Sequence, residues 1–559
     1  MIAPGSGFAM VDTEVRGIPM RVFEAAPPNM RAIWEMATLH GDKDYIVFED
    51  ERLTYGETAA LVRAVAHHLA DAHGVGHGDR VGIAMRNYPE WVISYWAIAS
   101  LGAAAVGMNA WWTGPEMEFA LDDSRPKVLI CDSERVERVI PHLETLRANN
   151  PLAIIAVRTD GDLPEGATHW NDVIDPAAAP DALPEVDIDP DDDVTIFYTS
   201  GTTGFPKGAQ LTHRGSVHNL FNIAFMQFVA GAAAAKAKMA AGETPDAPSE
   251  AAPSLMAPTP LFHVTACNCL LHPATLLGAK LVLMHKWDTA RAIELIEREE
   301  VTSFSGVPTM SREMLLHPDW ATRNTSSLQS LGGGGAPLQP DLVSKIDEAL
   351  PTGVPSTGYG LTETHGILTA NSSAMYLEKP ASCGPLVPNV DGKVVDEMGN
   401  ELPQGERGEL CVKGPIVIKG YINRPDATAE SIVDGWFNTG DIAFIDDDGF
   451  VHIVDRAKDM VLRGGENVYC SEVETVIYTH PDVAEAAVFG LPDDRLGESV
   501  AAAIVLRDGA ELTTEGLVEF LSPLMAKHKI PASIWFRTEA LPQNANGKFL
   551  KRALRDEYV

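Results

Sequence analysis

From Tyr45 to about Val157, short apolar runs alternate with amphipathic segments. The runs Arg80–Met85, Ala103–Met108 and Lys127–Cys131 are too continuously apolar for half-exposed strands, so they predict strands buried on both faces. Helices are predicted over Tyr55–His73, Pro89–Leu101 and Ser133–Ala148. Val194–Tyr198 (VTIFY) predicts another buried strand and His213–Phe228 a helix, which places the residues between them on a strand-to-helix turn. The alternation resumes with strand Lys280–Met284, helix Thr289–Glu299, strand end Ser303–Gly306 and helix Pro308–Leu316. Alternation of this kind points to parallel sheets covered by helices.

Beyond Asn389 the helical period gives way to short strands and turns, which predicts a β-rich subdomain over about 389–455. A last α+β unit reads as helix Ser471–Tyr478, opened by a Ser-x-x-Glu capping box, then strands Ala486–Phe489 and Val500–Leu506, helix Thr513–Met525 and strand Ile534–Arg537. The expected fold is therefore α/β: a large N-terminal domain over 1–457 with parallel sheets and a β-rich subdomain, and a small C-terminal α+β domain over 458–559. The hinge is expected at Asp455–Lys458. Ala230–Pro253, rich in Ala, Pro, Gly and Glu, reads as a solvated surface insertion.

Composition narrows the function. The chain has 559 residues and a formal charge of −35, which argues against a surface that grips nucleic acid or anionic lipid. Six scattered cysteines suit a reduced, cytoplasmic protein, and Cys267 and Cys269 read as buried apolar residues. The stretch Trp91–Trp112 holds 22 residues without a charge, long enough to cross a bilayer. Leu101-Gly102 divides it and neither end has a basic anchor, so no transmembrane span is expected. Peripheral membrane contact and a homodimer stay open.

The candidate chemistry centres on Thr199–Gly208 (TSGTTGFPKG), with three glycines, four hydroxyls and one lysine. Glycines let backbone N–H groups converge on an anion, hydroxyls add donors, and Lys207 brings positive charge to phosphate oxygens. The common phosphate loop, Gly-x4-Gly-Lys-Ser/Thr, is absent. Gly332–Pro337 (GGGGAP) presents no side chains to a flat ligand, although a tight turn is the bland alternative. Gly358–Thr364 (GYGLTET) offers an aromatic, hydroxyls and Glu363, a candidate ligand for Mg²⁺ bridging to phosphate. Thr439-Gly440-Asp441 and Asp455–Asp459 (DRAKD) offer ribose partners, Arg463–Asn467 (RGGEN) a narrow glycine passage, and Leu541–Arg552 (LPQNANGKFLKR) the lysine Lys548. Each of these alone would read as a turn or a solvated charge.

Taken together and in this order, the seven segments resemble the adenylate-forming, AMP-binding enzymes and, within them, acyl-CoA synthetases; the resemblance runs from about Tyr45 onward. It implies a large α/β domain, a β subdomain and a mobile C-terminal lid. By this likeness Thr199, Ser200, Gly201, Thr202, Thr203, Gly204 and Lys207 would hold the phosphates of ATP, and Thr202 and Glu363 would meet Mg²⁺. Gly334, Gly335, Ala336, Pro337, Gly358, Tyr359, Gly360 and Thr362 would frame adenine and the acid pocket, with His263 beside the acyl group. Asp441 and Arg456 would bind ribose, Lys458 would be the hinge, Gly464 and Gly465 would flank a channel for coenzyme A, and Lys548 would be the catalytic lysine. The implied partners are a small-molecule carboxylic acid, ATP and CoA, with fatty or other bulky apolar acids favoured. An adenylation enzyme loading a carrier protein is the alternative, and an inactive nucleotide-binding scaffold is the rival of a different class.

Overall fold

The computed structural model describes the chain apart from residues 1, 4, 200–205, 245–251, 336, 337, 339, 351, 352, 465, 494, 545 and 546 and the side chain of Pro340. The chain divides into two compact units. The first comprises residues 1–380, 384–391 and 412–437, and the second residues 381–383, 392–411 and 438–559.

The first unit holds two large sheets. In one, strands run in the order Lys207–Thr212, Asp193–Thr199, Ala104–Gly107, Arg80–Ala84, Val128–Asp132, Ala153–Val157 and Ala167–His169. Every pairing there is parallel except that of the first two strands. In the other, the order is Gly366–Ser372, Val354–Leu361, Ser330–Gly334, Ser303–Gly306, Ser254–Ala257, Lys280–Leu283, Asp44–Phe48 and Glu51–Thr54, with antiparallel pairs only at the two edges.

The continuous apolar character of these strands has a direct cause. Successive side chains leave a strand on opposite faces, and both faces are covered: Ile46 and Phe48 enter one hydrophobic cluster while Val47 enters another. Likewise Val81 and Ile83 face the first cluster and Ala84 a third. The helix Pro89–Ser100, with all residues but Glu90 buried, touches strands of both sheets. That burial accounts for the uncharged stretch Trp91–Trp112 without a membrane. Another helix, His213–Ala240, is long and apolar enough to cross a bilayer by length and composition alone; the residues it buries lie between His213 and Met226.

Three local expectations are corrected. Helix Ser133–Ala148 breaks into Ser133–Val139, a 3₁₀ turn Ile140–His142 and Leu143–Asn149, because Pro141 has no N–H to continue the ladder. Helix His213–Phe228 continues to Ala240, so the first part of the supposed insertion is helical: alanine, its main component, is the best helix former. The Ser-x-x-Glu pattern at Ser471 makes no capping box. Helix Cys470–Ile477 begins after Tyr469, Ser471 Oγ donates to the Val454 carbonyl, and Glu474 Oε1 accepts from Val488 N.

In the second unit, strands Glu466–Val468, Val461–Arg463, Gly497–Leu506, Val483–Asp493 and Ser533–Arg537 form a sheet, packed with helices Cys470–Ile477, Thr514–Leu521 and Lys551–Tyr558. Strands Trp436–Ile445 and Phe450–Arg456, which fall mainly in this unit, form an antiparallel pair within another sheet that also contains Gly408–Lys413 and Asp391–Val395.

Candidate active site

Strand Asp193–Thr199 is not followed directly by a helix. It pairs antiparallel with Lys207–Thr212, which brings Thr199 opposite Lys207, and the helix starts only at His213. The strand-to-helix turn expected from sequence is thus corrected: the apolar positions of KGAQLT (Ala209, Leu211) are buried in a further strand. Ser200, Gly201, Thr202, Thr203 and Gly204 lie outside the described residues, as do Ala336, Pro337 and Gly465.

Glu363 sits in the 3₁₀ turn Thr362–Thr364 at the end of strand Val354–Leu361. Its Oε1 accepts from Tyr421 Oη at 2.9 Å and from Thr199 Oγ1 at 3.4 Å. Lys207 Nζ stands 5.1 Å from the centre of the Tyr421 ring, a cation–π contact. A carboxylate, a lysine, a threonine hydroxyl and a phenol therefore meet at one place. Burial and the Glu363 carboxylate push the Tyr421 phenol above its usual range, so it remains a donor. The segment carrying Tyr421 is laid against the Lys207–Thr212 strand: Gln210 N donates to Gly420 O at 2.9 Å and Ile422 N to Gly208 O at 2.8 Å.

His365 locks this geometry from behind. Its ring is fully buried; Nε2 accepts from Thr212 N at 2.8 Å, so Nδ1 carries the proton and donates to Ile416 O at 2.7 Å. Burial drives its pKa down to about 3 and keeps it neutral. A Cβ on Gly215 would fall 2.3 Å from His365 Nε2, so only glycine leaves room for the ring. The Glu363 carbonyl in turn accepts from Ile418 N at 3.0 Å.

Gly332, Gly333 and Gly334 belong to strand Ser330–Gly334 rather than to a turn. A Cβ on Gly332 would come within 1.9 Å of Ser356 O, and one on Gly333 within 2.3 Å of Gly306 O, so these glycines answer to close strand packing. Gly335 follows at φ +79°. Gly358, Tyr359 and Gly360 lie on the neighbouring strand, with Gly360 opposite Ile367, and Thr362 opens the turn that bears Glu363.

His263 has an Nε2 with no partner among the described residues, and burial lowers its pKa to about 4. It precedes the helical residues Val264–Ala266, which run into a π turn over Cys267–Leu271. Pro273, just beyond, cannot donate to the carbonyl four residues earlier, which explains why the ladder widens there. Burial raises both thiols of Cys267 and Cys269, the latter to about 12. Cys267 is buried and Cys269 is partly buried, in line with their reading as buried apolar residues.

Within the second unit, Asp441 and Arg456 face each other across the Trp436–Ile445 and Phe450–Arg456 pairing, with Asp441 Oδ1 2.7 Å from Arg456 Nε. Asp441 is buried and the guanidinium exposed. Lys548 is close enough to this pair to feel both charges: burial lowers its pKa, Arg456 lowers it further, and Asp459 and Asp441 oppose the shift. Its backbone is fixed by Asn544, whose Oδ1 accepts from Lys548 N at 3.0 Å and whose N–H donates to Lys548 O at 2.8 Å. Lys458 is exposed in the turn after Arg456. Gly464 adopts φ +62° and donates its N–H to Leu496 O at 2.7 Å.

Two groupings thus emerge, Thr199, Lys207 and Glu363 in the first unit and Asp441, Arg456 and Lys548 in the second. Sequence reasoning missed Tyr421 and His365, because neither lies in a motif and both act through contacts distant in the chain. It also missed Lys551, whose Nζ is 2.8 Å from Glu474 Oε1 in a largely buried ion pair.

The AMP-binding enzyme family profile matches residues 33–422, and the profile of the AMP-binding enzyme C-terminal domain matches residues 472–548. The chain belongs to the AMP-binding enzyme family. A feruloyl-CoA synthase of Amycolatopsis sp is 36% identical over 90% of this chain and 94% of its own length. A long-chain-fatty-acid–CoA ligase of Mycobacterium tuberculosis is 36% identical over 91% of this chain and 94% of its own. The solved o-succinylbenzoate CoA synthetase of Bacillus subtilis, in complex with its acyl-adenylate intermediate, superposes with a TM-score of 0.77 at 29% identity, covering 95% of this chain and 99% of that one.

Proposed function

We propose that this AMP-forming acid–thiol ligase activates a carboxylic acid with a bulky apolar body, aromatic or long-chain, and transfers the acyl group to CoA. The observation that carries the reading is the meeting of Glu363, Thr199, Lys207 and Tyr421 at the end of a buried sheet. Feruloyl and long-chain-fatty-acid relatives of equal identity support a bulky acid over acetate.

In the first half-reaction, an oxygen of the substrate carboxylate attacks the α-phosphorus of ATP, and the bond to the β-phosphate oxygen breaks to release pyrophosphate. Lys207 offsets negative charge on the phosphate chain, Asp441 accepts hydroxyl protons of the ribose, and the Lys548 ammonium stabilises charge that builds on the α-phosphoryl oxygens. Glu363 suits Mg²⁺, which takes one or two carboxylates plus substrate phosphates rather than an all-protein cage. Glu363, with Thr202, would hold the ion, which supplies charge neutralisation at the phosphates. Tyr421 and His365 keep the Glu363 carboxylate in place. In the second half-reaction the sulfur of CoA bonds to the acyl carbonyl carbon as the bond to AMP breaks and the thiol proton leaves to solvent; by likeness to the family Gly464 and Gly465 would flank the pantetheine path and Lys458 would be the hinge.

The test is thioester formation from ATP, Mg²⁺, CoA and a panel of aromatic, long-chain, short-chain and amino acids. Thioester from an aromatic or long-chain acid, with AMP and pyrophosphate in equal amounts, is the expected outcome. Release of pyrophosphate without consumption of CoA would move the acceptor to a carrier protein, and preference for acetate would overturn the bulky pocket.

A further inference from the structure

Lys548 belongs to a tight loop whose two sides are held by different means. On one side, Asn544 engages both the N–H and the carbonyl of Lys548, Leu550 N donates to Pro542 O at 2.8 Å, and Gln543 faces Phe549 across an antiparallel bridge. On the other side the chain runs directly into helix Lys551–Tyr558, whose first residue is the lysine paired with Glu474. A cation is out of place there, because the N-terminal end of a helix favours anions. No acidic side chain stands in that first turn to offset it. The position of Lys551 answers instead to Glu474, which comes from helix Cys470–Ile477.

The two helices cover opposite faces of one sheet. Val473 and Ile477 of one pack with Val488 and Ala502, while Leu554 of the other packs with Ala487, Phe489 and Ala501. Strand Val483–Asp493 lies between them at the end of the sheet order, paired with Gly497–Leu506. Its Val488 N–H donates to Glu474 Oε1 at 2.7 Å, and the same oxygen stands 2.8 Å from Lys551 Nζ. The ion pair thus closes over the edge of the strand and fixes the start of one helix against the other. Burial alone would draw the Lys551 pKa down, but Glu474, Cys470 and Asp455 raise it above the usual lysine range, so the ammonium stays charged. Helix Cys470–Ile477 is tied in turn to the segment that carries Arg456. Asp455 Oδ2 accepts from Cys470 N, and Cys470 Sγ donates to Asp459 O at 3.0 Å.

We infer that Lys551 and Glu474 are positioning residues for Lys548, and that their ion pair sets its ammonium beside Asp441 and Arg456 for the adenylation half-reaction. Three residues separate Lys551 from Lys548, a reach of at most about 10 Å of extended chain, so a shift at the helix start passes directly to the loop. Lys551 is also among the charges that act on Lys548. The inference rests on the acid-ligase reading, in which Lys548 serves adenylation, and adds the residues that hold it there.

The test separates the two half-reactions in Lys551→Met, Lys551→Arg and the double variant Lys551→Met with Glu474→Leu. Adenylation is read as single-turnover pyrophosphate release from ATP and Mg²⁺ with palmitate or ferulate, whichever the wild-type enzyme converts. Thioester formation is read from the matching synthetic acyl-adenylate and CoA. Lys551→Met is expected to slow adenylation by about 10- to 100-fold, the scale of a misplacement of about 1 Å. Thioester formation from supplied adenylate is expected to keep its wild-type rate, and Lys551→Arg to restore most of the adenylation. The double variant leaves no buried charge unpaired, so slow adenylation there marks lost position rather than unfolding, even if Lys551→Met folds poorly. Arg537→Met removes the ion pair to Glu557 at the other end of the same helix and is expected to change neither half-reaction. Equal losses in both half-reactions, or wild-type adenylation in the double variant, would overturn the positioning role. A wild-type enzyme that converts neither acid nor either adenylate would instead overturn the ligase reading, and the role with it.

Discussion

Tyr421→Phe removes one oxygen and retains the ring that faces Lys207. The lost hydrogen bond, 2.9 Å to Glu363 Oε1, joins a neutral donor to a carboxylate. Bonds to charged groups are worth about 1.5–3 kcal/mol, and Thr199 Oγ1, at 3.4 Å, is too distant to replace it fully. If Glu363 holds Mg²⁺ against the phosphates, the change should slow acyl-adenylate formation by about 10- to 150-fold at limiting Mg²⁺, with part of the loss recovered at high Mg²⁺. The assay is a stopped-flow measurement of the adenylation half-reaction across a Mg²⁺ titration. Tyr421→Leu, which also removes the ring beside Lys207, should lose more and should raise the KM for ATP. Wild-type rates for Tyr421→Phe at limiting Mg²⁺ would refute the idea that the phenol positions Glu363.

Lys548→Ala should abolish acyl-adenylate formation while ATP still binds, checked by calorimetry; undiminished turnover would remove Lys548 from the mechanism. Because burial and Arg456 lower the Lys548 pKa, its charge is lost at a lower pH than that of a free lysine. Adenylation in wild type should therefore decline on the alkaline side earlier than an unperturbed lysine would allow, and ATP binding should not. Lys551→Met leaves Glu474 buried without its partner and should destabilise the second unit by about 3–5 kcal/mol, read in urea unfolding. The double change with Glu474→Leu should recover most of that loss. Finally, burial holds His213, His218, His272 and His365 at about 3 and His263 at about 4. Their folded-state pKa values lie below the unfolded value of about 6.5, so their neutral-state stability is complete above pH 6.5 and is lost as pH falls. At pH 5.5 each should cost about 1.4 kcal/mol, about 7 kcal/mol for the five, and an unchanged urea midpoint between pH 7.5 and 5.5 would contradict this.

The strands and helices of the first unit were legible because burial on both faces leaves a plain trace: runs with no polar interruption, bounded by caps. Helix Tyr55–His73 stands at its expected limits because Thr54 and Glu57 make a reciprocal cap and Gly74 ends it in the left-handed region. Helix Pro308–Leu316 was likewise readable from its opening proline. What escaped depends on contacts that local pattern does not encode. The weakly patterned KGAQLT became a strand only because the edge of a sheet was available to it. Ser471 and Glu474 match a capping box, yet both side chains are taken by Val454, Val488 and Lys551. Glycines at 332 and 333, read as room for a ligand, are required by neighbouring carbonyls.

The candidate site divides in the same way. Glu363 and Lys207 could be chosen because the glycine-rich segments that carry them stand in order with five other motif segments along the chain. Tyr421 and His365 could not, since a tyrosine in KGYINRP and a histidine after GYGLTET carry no periodic or spacing signal. Their roles come from hydrogen bonds to residues 58 and 153 positions away in the chain. The π turn at Cys267–Leu271 was equally silent, although Pro273 hinted at a disturbed ladder.

The most direct test of the central claim is exchange of labelled pyrophosphate into ATP, run with and without each acid and in the absence of CoA. Reversible acyl-adenylate formation predicts exchange that depends on a bulky acid and is lost in Lys548→Ala. Exchange that proceeds without any acid, or no exchange with an acid that is converted to thioester, would contradict an adenylate intermediate in this protein.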